Sequence, residues 1–502
     1  MTDVVLVSPP SRSINHYRPP LALLYLAGHL LQSKIKTKII DVTLKQVVRD
    51  KKFFNNLDSL LIKIENDIIS QIRSNQPKVV GITCYTPEYE EVLHLANRIK
   101  HEISPKIKII VGGIHPTLYP QDLLEEPNSP VDFEVIGEGE ETFLELCQKI
   151  LKIKNIPYKK IKSIAYYKNS NFISTPLRPL QKNLDLISHP AYKLIDMEYY
   201  TQASPYSIRG CFLRSFYLLA TRGCPSTCTF CVAKKLRQFN GGGCYTRVRS
   251  AKSLISEIKL LRQKYYIDSF YFIDDLFTIN KENVANFCRL LKKENLNLLW
   301  GCSAKVSTLN EEIIKMMSQA GCIQIDFGVE RGSDHALKLI QKGINLKMLR
   351  NIFDLCHKYK IRTFANFLVN LPQETKKDLN DITKLARELR SEIYSFNVFT
   401  PYPGTEIYDQ MDYKFSKQEY QELFNASLLI KKYPHKYRFS KHKIDILKWA
   451  NTQNKDFNQI LPNLLFHLSP KYLKTIFLSS KKSSYLHQFA NLLKELINQK
   501  IN

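Results

Sequence analysis

Phe216–Cys231 reads FYLLATRGCPSTCTFC, and this stretch decides the fold. Its first half is a short apolar and aromatic run, which predicts a buried strand. Its second half places Cys224, Cys228 and Cys231 in a C-x3-C-x2-C spacing on the loop that follows. Thiolates are the usual ligands of iron–sulfur clusters, which commonly take four of them. Three thiolates on one loop therefore predict a cluster with one iron left open for a small molecule.

A zinc site is the alternative interpretation of the same loop. Closed zinc sites need four ligands, usually arranged as two pairs. A fourth ligand is available in Cys244, thirteen residues beyond Cys231 and directly after Gly241–Gly243. The chain has 11 cysteines, and an intracellular protein of this size is not expected to use them as a disulfide framework. The isolated ones are expected to be buried, inert thiols; they are Cys244, Cys288, Cys302, Cys322 and Cys356.

Outward from the cysteine loop, residues 213–410 alternate strand patterns with helical patterns. Six strands are predicted, at Phe216–Ala220, Ser269–Ile273, Leu298–Cys302, Ile323–Val329, Thr363–Val369 and Tyr394–Phe399. Such alternation is typical of a parallel sheet with crossover helices. Six repeats predict a partial (β/α)6 barrel of the TIM type, whose chemistry lies on the loops after the strands.

Residues 1–155 show a second alternation of the same kind. Strands are predicted at Asp3–Ser8, Thr37–Val42, Lys78–Cys84, Lys106–Val111 and Phe133–Ile136. Helices are predicted at Leu21–Gln32, near Asp58–Arg73, near Glu88–Glu102 and from about Glu141. Short β-branched runs between amphipathic helices indicate an α/β, doubly wound, flavodoxin-like parallel sheet, which binds ligands at the carboxyl ends of its strands. Glycines at those ends let a backbone approach a flat ligand closely.

The remaining segments are expected to be a connector and a tail. Residues 156–212 form the connector, with a small hairpin over Ile164–Tyr167 and Asn171–Ser174. Residues 411–502 form a helical, basic C-terminal region. Its run Lys431–Lys443 (KKYPHKYRFSKHK) mixes basic and aromatic residues, and a solvated helix face is its simplest interpretation. Contact with an anionic substrate, a lipid headgroup or RNA is the alternative.

Charge and composition restrict the function classes. The net charge is +26, from 73 basic and 47 acidic residues among 502. This excess permits nucleic acid, a membrane surface or acidic substrates as partners, but nucleic acid is not expected without a recognition module. The first residues, MTDVVLVSPP, lack a secretory signal pattern, and no apolar run has the length of a membrane span. We therefore expect a soluble, cytoplasmic protein with, at most, peripheral membrane contact.

The cysteine loop resembles the radical SAM superfamily, whose signature has three cysteines at this spacing and an aromatic residue, here Phe230, before the last. The resemblance implies a [4Fe–4S] cluster on Cys224, Cys228 and Cys231. Its open iron would chelate the amino and carboxylate groups of S-adenosylmethionine. One electron, supplied by an external flavodoxin or ferredoxin, would then break the sulfonium bond and give a 5′-deoxyadenosyl radical.

The same resemblance assigns S-adenosylmethionine contacts at later strand ends. They are Asp274 and Asp275 in YFIDDLFTIN, Ser303 and Lys305 in CSAK, and Glu330 in FGVERGS. Phe230 on the cysteine loop is a further contact in this assignment. Lys305 stands where the family often has Arg. For each acidic residue alone, a helix cap is the simpler role. Phe399–Glu406 (FTPYPGTE) resembles the last barrel loop of the family.

One segment departs from the family pattern. Asn366–Thr375 (NFLVNLPQET) has Asn370 and Gln373 where the family usually has glycines. Since glycine permits close backbone approach, contact with the adenosine is expected to differ here.

The N-terminal residues resemble the cobalamin-binding domain found upstream of many radical SAM enzymes. The matching features are the early SPP…PPLALLYLAGHL segment, the GGIHP motif from Gly112 and the GEGEET motif from Gly137. The resemblance assigns cobalamin contacts to Pro9, Thr83, Cys84, Gly112, Gly113, His115, Gly137, Glu138 and Gly139. There is no D-x-H-x-x-G segment, so cobalamin is expected to bind without a histidine below the cobalt. His115 is the only tempting ligand among these residues, and lining the pocket or capping a helix is its simpler role.

Together the two resemblances imply a cobalamin-dependent radical SAM enzyme. Its expected reaction is methylation of an unactivated carbon or phosphorus centre in a small-molecule or lipid substrate, through a deoxyadenosyl radical and methylcobalamin. One alternative keeps both cofactors but performs an oxidation or cyclisation without methyl transfer. Another is a basic RNA- or membrane-associated protein with a structural metal. RNA methylthiotransferases carry a second cluster on three N-terminal cysteines, whereas residues 1–200 contain only Cys84 and Cys147.

Overall fold

The chain forms two compact units in a computed structural model. The N-terminal unit comprises Met1–Asp196, Thr229–Tyr245 and Thr400–Pro434, and the barrel unit comprises Met197–Cys228, Thr246–Phe399 and His435–Asn502. The structure describes residues 2–11, 18–41, 57–124, 129–239, 241, 245–424, 426–432, 437–458, 465–481 and 485. Among the helices in these ranges, none combines the length and the apolar character that crossing a lipid bilayer requires.

The N-terminal unit is built on a seven-stranded sheet in the order β2-β1-β3-β4-β5-β6-β7. The strands are β1 Val4–Val7, β2 Thr37–Ile40, β3 Val79–Thr83, β4 Lys108–Gly112, β5 Phe133–Val135, β6 Ile164–Lys168 and β7 Asn171–Ser174. The first five pair in parallel. Their order 2-1-3-4-5 is that of a flavodoxin-like sheet, which confirms the predicted fold class. In such a sheet the topological switch point lies between β1 and β3, where ligands bind.

Helices cover this sheet because its strands are apolar on both faces. All four residues of β1 are fully buried. The helices are Leu21–Gln32, Leu57–Asn75, Tyr89–Arg98, Ile114–Leu118 and Glu140–Ile150, with a π turn at Ile99–Ile103. Gly81 in β3 permits close helix packing, since a Cβ there would lie 2.7 Å from the Phe143 ring and 2.8 Å from Leu6. The expected helix over about Glu88–Glu102 is present, but its last turn widens into the π turn.

The hairpin expected within the connector belongs to the sheet. β6 pairs antiparallel with β5, and β7 pairs antiparallel with β6. Thr175 fixes this hairpin through its hydroxyl, which accepts the N–H of Ile164 at 3.0 Å. The hairpin therefore extends the N-terminal sheet by two strands instead of bridging to the next domain.

The barrel unit contains a second seven-stranded sheet, in the order β16-β15-β14-β13-β12-β9-β8. Its strands are β8 Ala203–Ser204, β9 Leu213–Leu218, β12 Ser269–Phe272, β13 Leu299–Ala304, β14 Cys322–Glu330, β15 Arg362–Val369 and β16 Ile393–Val398; a separate two-stranded ladder pairs β10 Thr221–Arg222 with β11 Arg247–Val248. The strands from β9 to β16 pair in parallel and in chain order. This arrangement confirms the predicted partial barrel of six βα repeats.

Side-chain caps begin the helices that follow these strands. The helices are Ala251–Tyr265, Lys281–Lys293, Glu311–Gln319, Asp334–Leu339, Leu346–Lys358 and Lys376–Leu389. Each starts after an Asn, Ser or Thr whose side chain accepts a backbone N–H of the first turn. This is the preferred N-cap chemistry, and it fixes where each loop ends.

The strand β16 lies at the edge of the barrel sheet, and the helix Ile446–Phe457 packs along that edge. The Asn454 amide accepts the N–H of Phe396 at 2.9 Å and donates to its carbonyl at 3.2 Å. Asn458 makes the same two bonds to Tyr394, at 2.8 and 2.9 Å. At Tyr394 and Phe396 the two amides take the place of a neighbouring strand, so these edge positions of the last strand are paired. Among the described residues of the C-terminal region, further helices are Lys417–Phe424, Ala426–Lys432 and Pro470–Leu478, which confirms its predicted helical class.

Candidate active site

The cysteine loop starts at a point held by the next strand of the barrel sheet. The carboxylate of Asp274, just after β12, accepts the N–H of Ala220 at 2.8 Å and the N–H of Thr221. Burial raises the pKa of Asp274 to about 7, although the N–H donors oppose the rise. Gly223 then turns the chain at φ +84° directly before Cys224. Asp274, predicted to bind S-adenosylmethionine, thus has a structural task in positioning the cysteine loop.

None of the three cysteines of the loop forms a disulfide bond. Cys224 and Cys231 are half-buried, and Cys228 is buried. Burial raises the pKa of Cys228, while the ammonium groups of Lys342 and Lys305 lower it. Three thiols within eight residues are the kind of donor set that an iron–sulfur cluster takes. Within the ranges that the structure describes, no three His, Cys, Asp or Glu side chains gather at one point. Cys244 lies outside those ranges.

Two lysines lie near the cysteine loop at the carboxyl end of the barrel sheet. Lys305, which follows β13, donates from Nζ to the Ser226 hydroxyl at 3.1 Å. Lys342 pairs with Glu330 at 2.7 Å. Lys305, Lys342 and Glu330 all act on the pKa of the Cys228 thiol. The loop is therefore surrounded by charges suited to an amino acid's ammonium and carboxylate groups.

Glu330 ends β14 in a backbone conformation that residues other than glycine rarely adopt. Its φ is +67°. Gly328, two residues earlier on the same face, leaves room for the ion pair, because a Cβ there would lie 2.3 Å from Glu330 Oε1 and 2.6 Å from Lys342 Nζ. Such backbone strain persists where the surroundings require it, often at functional sites. Lys342 is not predictable from the sequence, since it follows the helix Asp334–Leu339 without a recognisable motif.

The other residues predicted to bind S-adenosylmethionine lie in different environments. Ser303 on β13 shares a hydrogen bond of 3.1 Å with the Tyr271 hydroxyl. Asp275 is exposed, unlike its neighbour Asp274. Phe230 is half-buried on the cysteine loop. The structure brings Lys305 to the loop and leaves Asp275 facing solvent.

In the segment that departs from the family pattern, two non-glycine residues adopt a backbone conformation that is typical of glycine. Asn370 and Gln373 both have φ +67°. Asparagine tolerates this region better than most residues. The Asn370 amide donates to the Tyr437 carbonyl at 2.8 Å and accepts the N–H of Phe439 at 3.1 Å. Asn370 thus anchors the C-terminal segment to the loop after β15, a task that glycine does not perform.

Glu374 completes this anchor. Its buried carboxylate pairs with Arg331 and accepts a hydrogen bond from His442 at 3.1 Å. The segment Arg438–Lys443 is not helical, and Tyr437 is 1% exposed. The simplest interpretation of the run Lys431–Lys443, a solvated helix face, is therefore wrong for its second half. Asn370 and Glu374 bind the backbone of Tyr437 and Phe439 and the side chain of His442, while Arg438, Lys441 and Lys443 stay exposed.

The residues predicted to contact cobalamin lie at the carboxyl ends of β1, β3, β4 and β5. Pro9 follows β1, Thr83 ends β3, and Gly112 ends β4. Gly113 has φ +117°, and a Cβ there would lie 2.7 Å from the Cys84 carbonyl oxygen. After β5, Gly137 donates its N–H to Thr117 at 2.9 Å. Glu138 is half-buried, and Gly139 precedes the helix Glu140–Ile150. These ends mostly present backbone, which suits a broad, flat ligand.

His115 is not exposed at these strand ends. Its side chain is fully buried, and its ring lies 5.3 Å from that of Tyr89, 5.8 Å from Tyr119 and 5.6 Å from Tyr420. Nδ1 is 3.3 Å from the Thr86 hydroxyl. Burial lowers the pKa of His115 to about 3, so the imidazole is neutral. A histidine enclosed in this way packs the loop after β4, as does Cys84, which is also fully buried. The surface fits a corrin held without a histidine ligand.

Family models match both units. The B12 binding domain model matches residues 11–147, and the radical SAM superfamily model matches residues 218–386. The first match spans the predicted cobalamin contacts from Thr83 to Gly139. The second spans the cysteine loop and Glu330.

Three similar proteins extend the comparison to both units. An uncharacterized methyltransferase of Pyrococcus horikoshii is 30% identical over 81% of this chain and 82% of its own length. An anaerobic magnesium-protoporphyrin IX monomethyl ester cyclase of Rubrivivax gelatinosus is 28% identical over 80% of this chain and 68% of its own length. The solved radical S-adenosylmethionine methyltransferase TsrM of Kitasatospora setae superposes with a TM-score of 0.61 at 17% identity. It covers 81% of this chain and 77% of its own, and it contains cobalamin and a [4Fe–4S] cluster.

Proposed function

The chain belongs to the family of radical SAM enzymes that carry a B12-binding domain, and from this premise we propose that it is a cobalamin-dependent radical SAM methyltransferase. The proposed acceptor is an unactivated carbon or phosphorus centre of a small molecule or a lipid. The observation that carries the proposal is the cysteine loop, placed directly after the first parallel strand of a partial barrel in a chain that also folds a flavodoxin-like sheet.

Cys224, Cys228 and Cys231 would hold the [4Fe–4S] cluster, which when bound supplies the electron that cleaves S-adenosylmethionine. Asp274 fixes the start of their loop through two backbone N–H groups. Lys305 and Lys342 favour the thiolate form of Cys228. These three residues position and charge the loop, and they do not themselves need to touch the reacting atoms.

Glu330, Lys342 and Lys305 would bind the amino acid end of S-adenosylmethionine. Glu330 offers a carboxylate for the ammonium group, and the lysines offer cations for the carboxylate. In the structure Glu330 and Lys342 form an ion pair with each other at 2.7 Å. Binding of S-adenosylmethionine would replace this ion pair with two, one to its ammonium group and one to its carboxylate. Phe230, Asp275 and Ser303 remain proposed contacts.

The carboxyl-end loops of β1, β3, β4 and β5 would hold cobalamin, which when bound supplies a cobalt centre able to carry a methyl group. The glycines of these loops permit close approach of the corrin. His115, enclosed by three tyrosine rings, is not proposed as a cobalt ligand. We further propose a flavodoxin- or ferredoxin-type protein as electron donor and the cytoplasm as the site of action.

Radical chemistry and methyl transfer are tested with one labelled co-substrate. The protein is reconstituted anaerobically, reduced, and incubated with a metabolite extract and S-adenosylmethionine deuterated on its methyl group. We expect 5′-deoxyadenosine together with a product that has gained the deuterated methyl. Formation of neither compound would refute the proposed function.

An oxidative cyclisation is the second candidate, because a cyclase is among the similar proteins, at 28% identity. It predicts 5′-deoxyadenosine and a changed product without label. A binding protein with a structural metal predicts no 5′-deoxyadenosine at all. The single experiment therefore separates all three hypotheses.

A further inference from the structure

The barrel sheet has a closed outer face and an open inner face. Since successive strand residues point to opposite faces, the two faces can be compared along each strand. Outer-face residues are at most 2% exposed; they include Trp300, Cys302, Ile325, Phe327, Val329, Ala365, Phe367 and Phe396. Several inner-face residues are partly exposed or exposed, namely Ser303, Asp326, Gly328, Asn366, Leu368, Ser395 and Asn397, whereas Tyr271, Gln324 and Phe364 on the same face are buried. The inner face therefore lines a lumen that solvent reaches, with several polar groups on its wall.

Tyr271 and Asp326 meet in this lumen across an intervening strand. The Tyr271 hydroxyl on β12 donates to Asp326 Oδ2 on β14 at 2.8 Å, passing over β13. Gly301 makes this possible, because a Cβ there would lie 3.0 Å from the Tyr271 ring. Gln324 donates to the other carboxylate oxygen of Asp326 at 2.9 Å. Two donors thus fix the orientation of the carboxylate.

The amino-terminal end of the lumen is sealed. Arg362 donates from Nη1 to the Gln324 side chain at 3.0 Å and to the Arg209 carbonyl at 3.0 Å. It also contacts the Cys211 sulfur. Gln324 and Cys211 are fully buried. These contacts hold the segment before β9 as a floor.

Arg209 stands on this floor with its guanidinium in the lumen. Its Cζ lies 4.3 Å from the centre of the Phe364 ring, and its Nε lies 3.8 Å from Asp326 Oδ2. The side chain is 50% exposed. Within the described part of the chain, no group accepts a hydrogen bond from its two terminal amino groups. A guanidinium that is stacked and paired at one side presents an oriented fork at the other, which matches a carboxylate or a phosphate.

We propose that the lumen binds the substrate by an acidic group, a carboxylate or a phosphate, held on the terminal amino groups of Arg209. The inference rests on the proposed function, in which a substrate must enter the barrel unit. Asp326 positions Arg209, and Tyr271 and Gln324 position Asp326. Asp326 lies four residues before Glu330 on β14, which at roughly 3.3 Å per residue is about 13 Å. The acidic group is therefore bound about that far from the level of Glu330, so the substrate is elongated.

The test is a calorimetric titration of the anaerobically reconstituted protein with phenyl phosphate, with benzoate and with neutral benzyl alcohol. We expect binding of at least one anion and not of the alcohol, and the stronger anion identifies the group as a phosphate or a carboxylate. In Arg209→Gln the anion should bind at least about tenfold more weakly, because a charged bidentate contact is lost. Equal affinity in Arg209→Gln and the native protein would overturn the inference.

Two further variants complete the test. Arg350→Gln is the matched control, since Arg350 is 47% exposed but pairs with Glu388 on helices of the outer layer. It should leave anion affinity unchanged. If thermal unfolding shows that Arg209→Gln is not folded, Arg209→Lys replaces it: affinity should fall because the fork is lost, and unchanged affinity would overturn the inference. Failure of the native protein to form 5′-deoxyadenosine would instead refute the proposed function, and the titration does not depend on that reaction.

Discussion

The two parallel sheets of this chain use their carboxyl ends differently. In the N-terminal unit these ends offer mainly backbone, with Gly112, Gly113, Gly137 and Gly139 near the ends of β4 and β5. In the barrel unit the corresponding ends carry charged side chains, among them Lys305 and Glu330. His115, the candidate metal ligand among the strand-end residues of the first sheet, is buried under aromatic rings.

This difference indicates which chemistry each sheet supports. A bare backbone surface binds a broad group by shape, and the group brings its own reactivity. A surface with paired charges binds a small polar molecule and orients it. In each unit a buried carboxyl group also fixes a loop: Glu134 accepts the backbone N–H of Leu123 at 3.3 Å, and Asp274 accepts those of Ala220 and Thr221. Burial raises the pKa of Glu134 to about 8 and that of Asp274 to about 7.

The largest effect is expected from removing one cysteine of the loop. Cys228→Ala should lower the iron content to background and reduce 5′-deoxyadenosine formation by at least about a thousandfold, since the cluster is the electron source. Corrinoid binding should stay within about twofold, because the N-terminal sheet does not depend on the loop's thiols. Cys356→Ala removes a thiol buried elsewhere in the barrel unit and should retain the iron. Loss of iron in both variants would show a folding defect, and retention in both would contradict the assignment.

Glu330→Gln should weaken S-adenosylmethionine binding about ten- to a hundredfold, because the charge opposite the ammonium group is lost. Iron content should not change. The matched control is Glu388→Gln, which breaks the exposed 2.8 Å pair with Arg350 on outer helices. Binding is measured on the oxidised, reconstituted protein by calorimetry. An unchanged affinity in Glu330→Gln would remove Glu330 from the site.

Gly113→Ala should weaken corrinoid binding by at least about tenfold and lower stability by roughly 1–3 kcal/mol. The new Cβ would lie 2.7 Å from the Cys84 carbonyl oxygen at a φ of +117°. Gly321→Ala introduces comparable strain in the barrel unit, with a Cβ 2.4 Å from the Leu298 carbonyl oxygen at φ +91°. It should lower stability without changing corrinoid affinity. If both variants lose corrinoid equally, general destabilisation explains the effect.

The smallest effect concerns the pH dependence of stability. The raised pKa of Asp274 means that the folded state binds its proton more tightly than the unfolded state, whose pKa is near 3.8. The resulting stabilisation is fully present below that value and is lost as the pH rises to about 7. Asp274→Asn has no titrating group at this position, so its melting temperature should rise relative to that of the native protein between pH 5 and pH 8, by a few degrees. A parallel pH profile for both proteins would contradict the shift.

The pattern of strands and helices was largely predictable from sequence. The predicted helix Leu21–Gln32 has the observed bounds, because Pro20 precedes it and its apolar spacing is regular. The six barrel strands were found from their apolar runs. The hairpin β6–β7 was predicted, but its pairing with β5 was not, since the choice of partner strand depends on contacts distant in sequence.

The candidate site was less predictable. Cysteine spacing identifies a metal site because the ligands are adjacent in sequence. Lys342 and Arg209 belong to no motif, and only folding brings them to Glu330 and Asp326. The role of Asn370 is also not predictable from the sequence. The sequence shows that Asn370 stands where the family usually has glycine, but its hydrogen bonds to Tyr437 and Phe439 join residues more than sixty positions apart.

The central claim is that one chain holds a three-cysteine iron–sulfur cluster and a cobalamin. Elemental analysis by mass spectrometry of the protein, reconstituted anaerobically with iron, sulfide and cobalamin and then desalted, tests it most directly. The account predicts about four irons and about one cobalt per chain, with zinc at background. One zinc per chain with neither iron nor cobalt retained would contradict it.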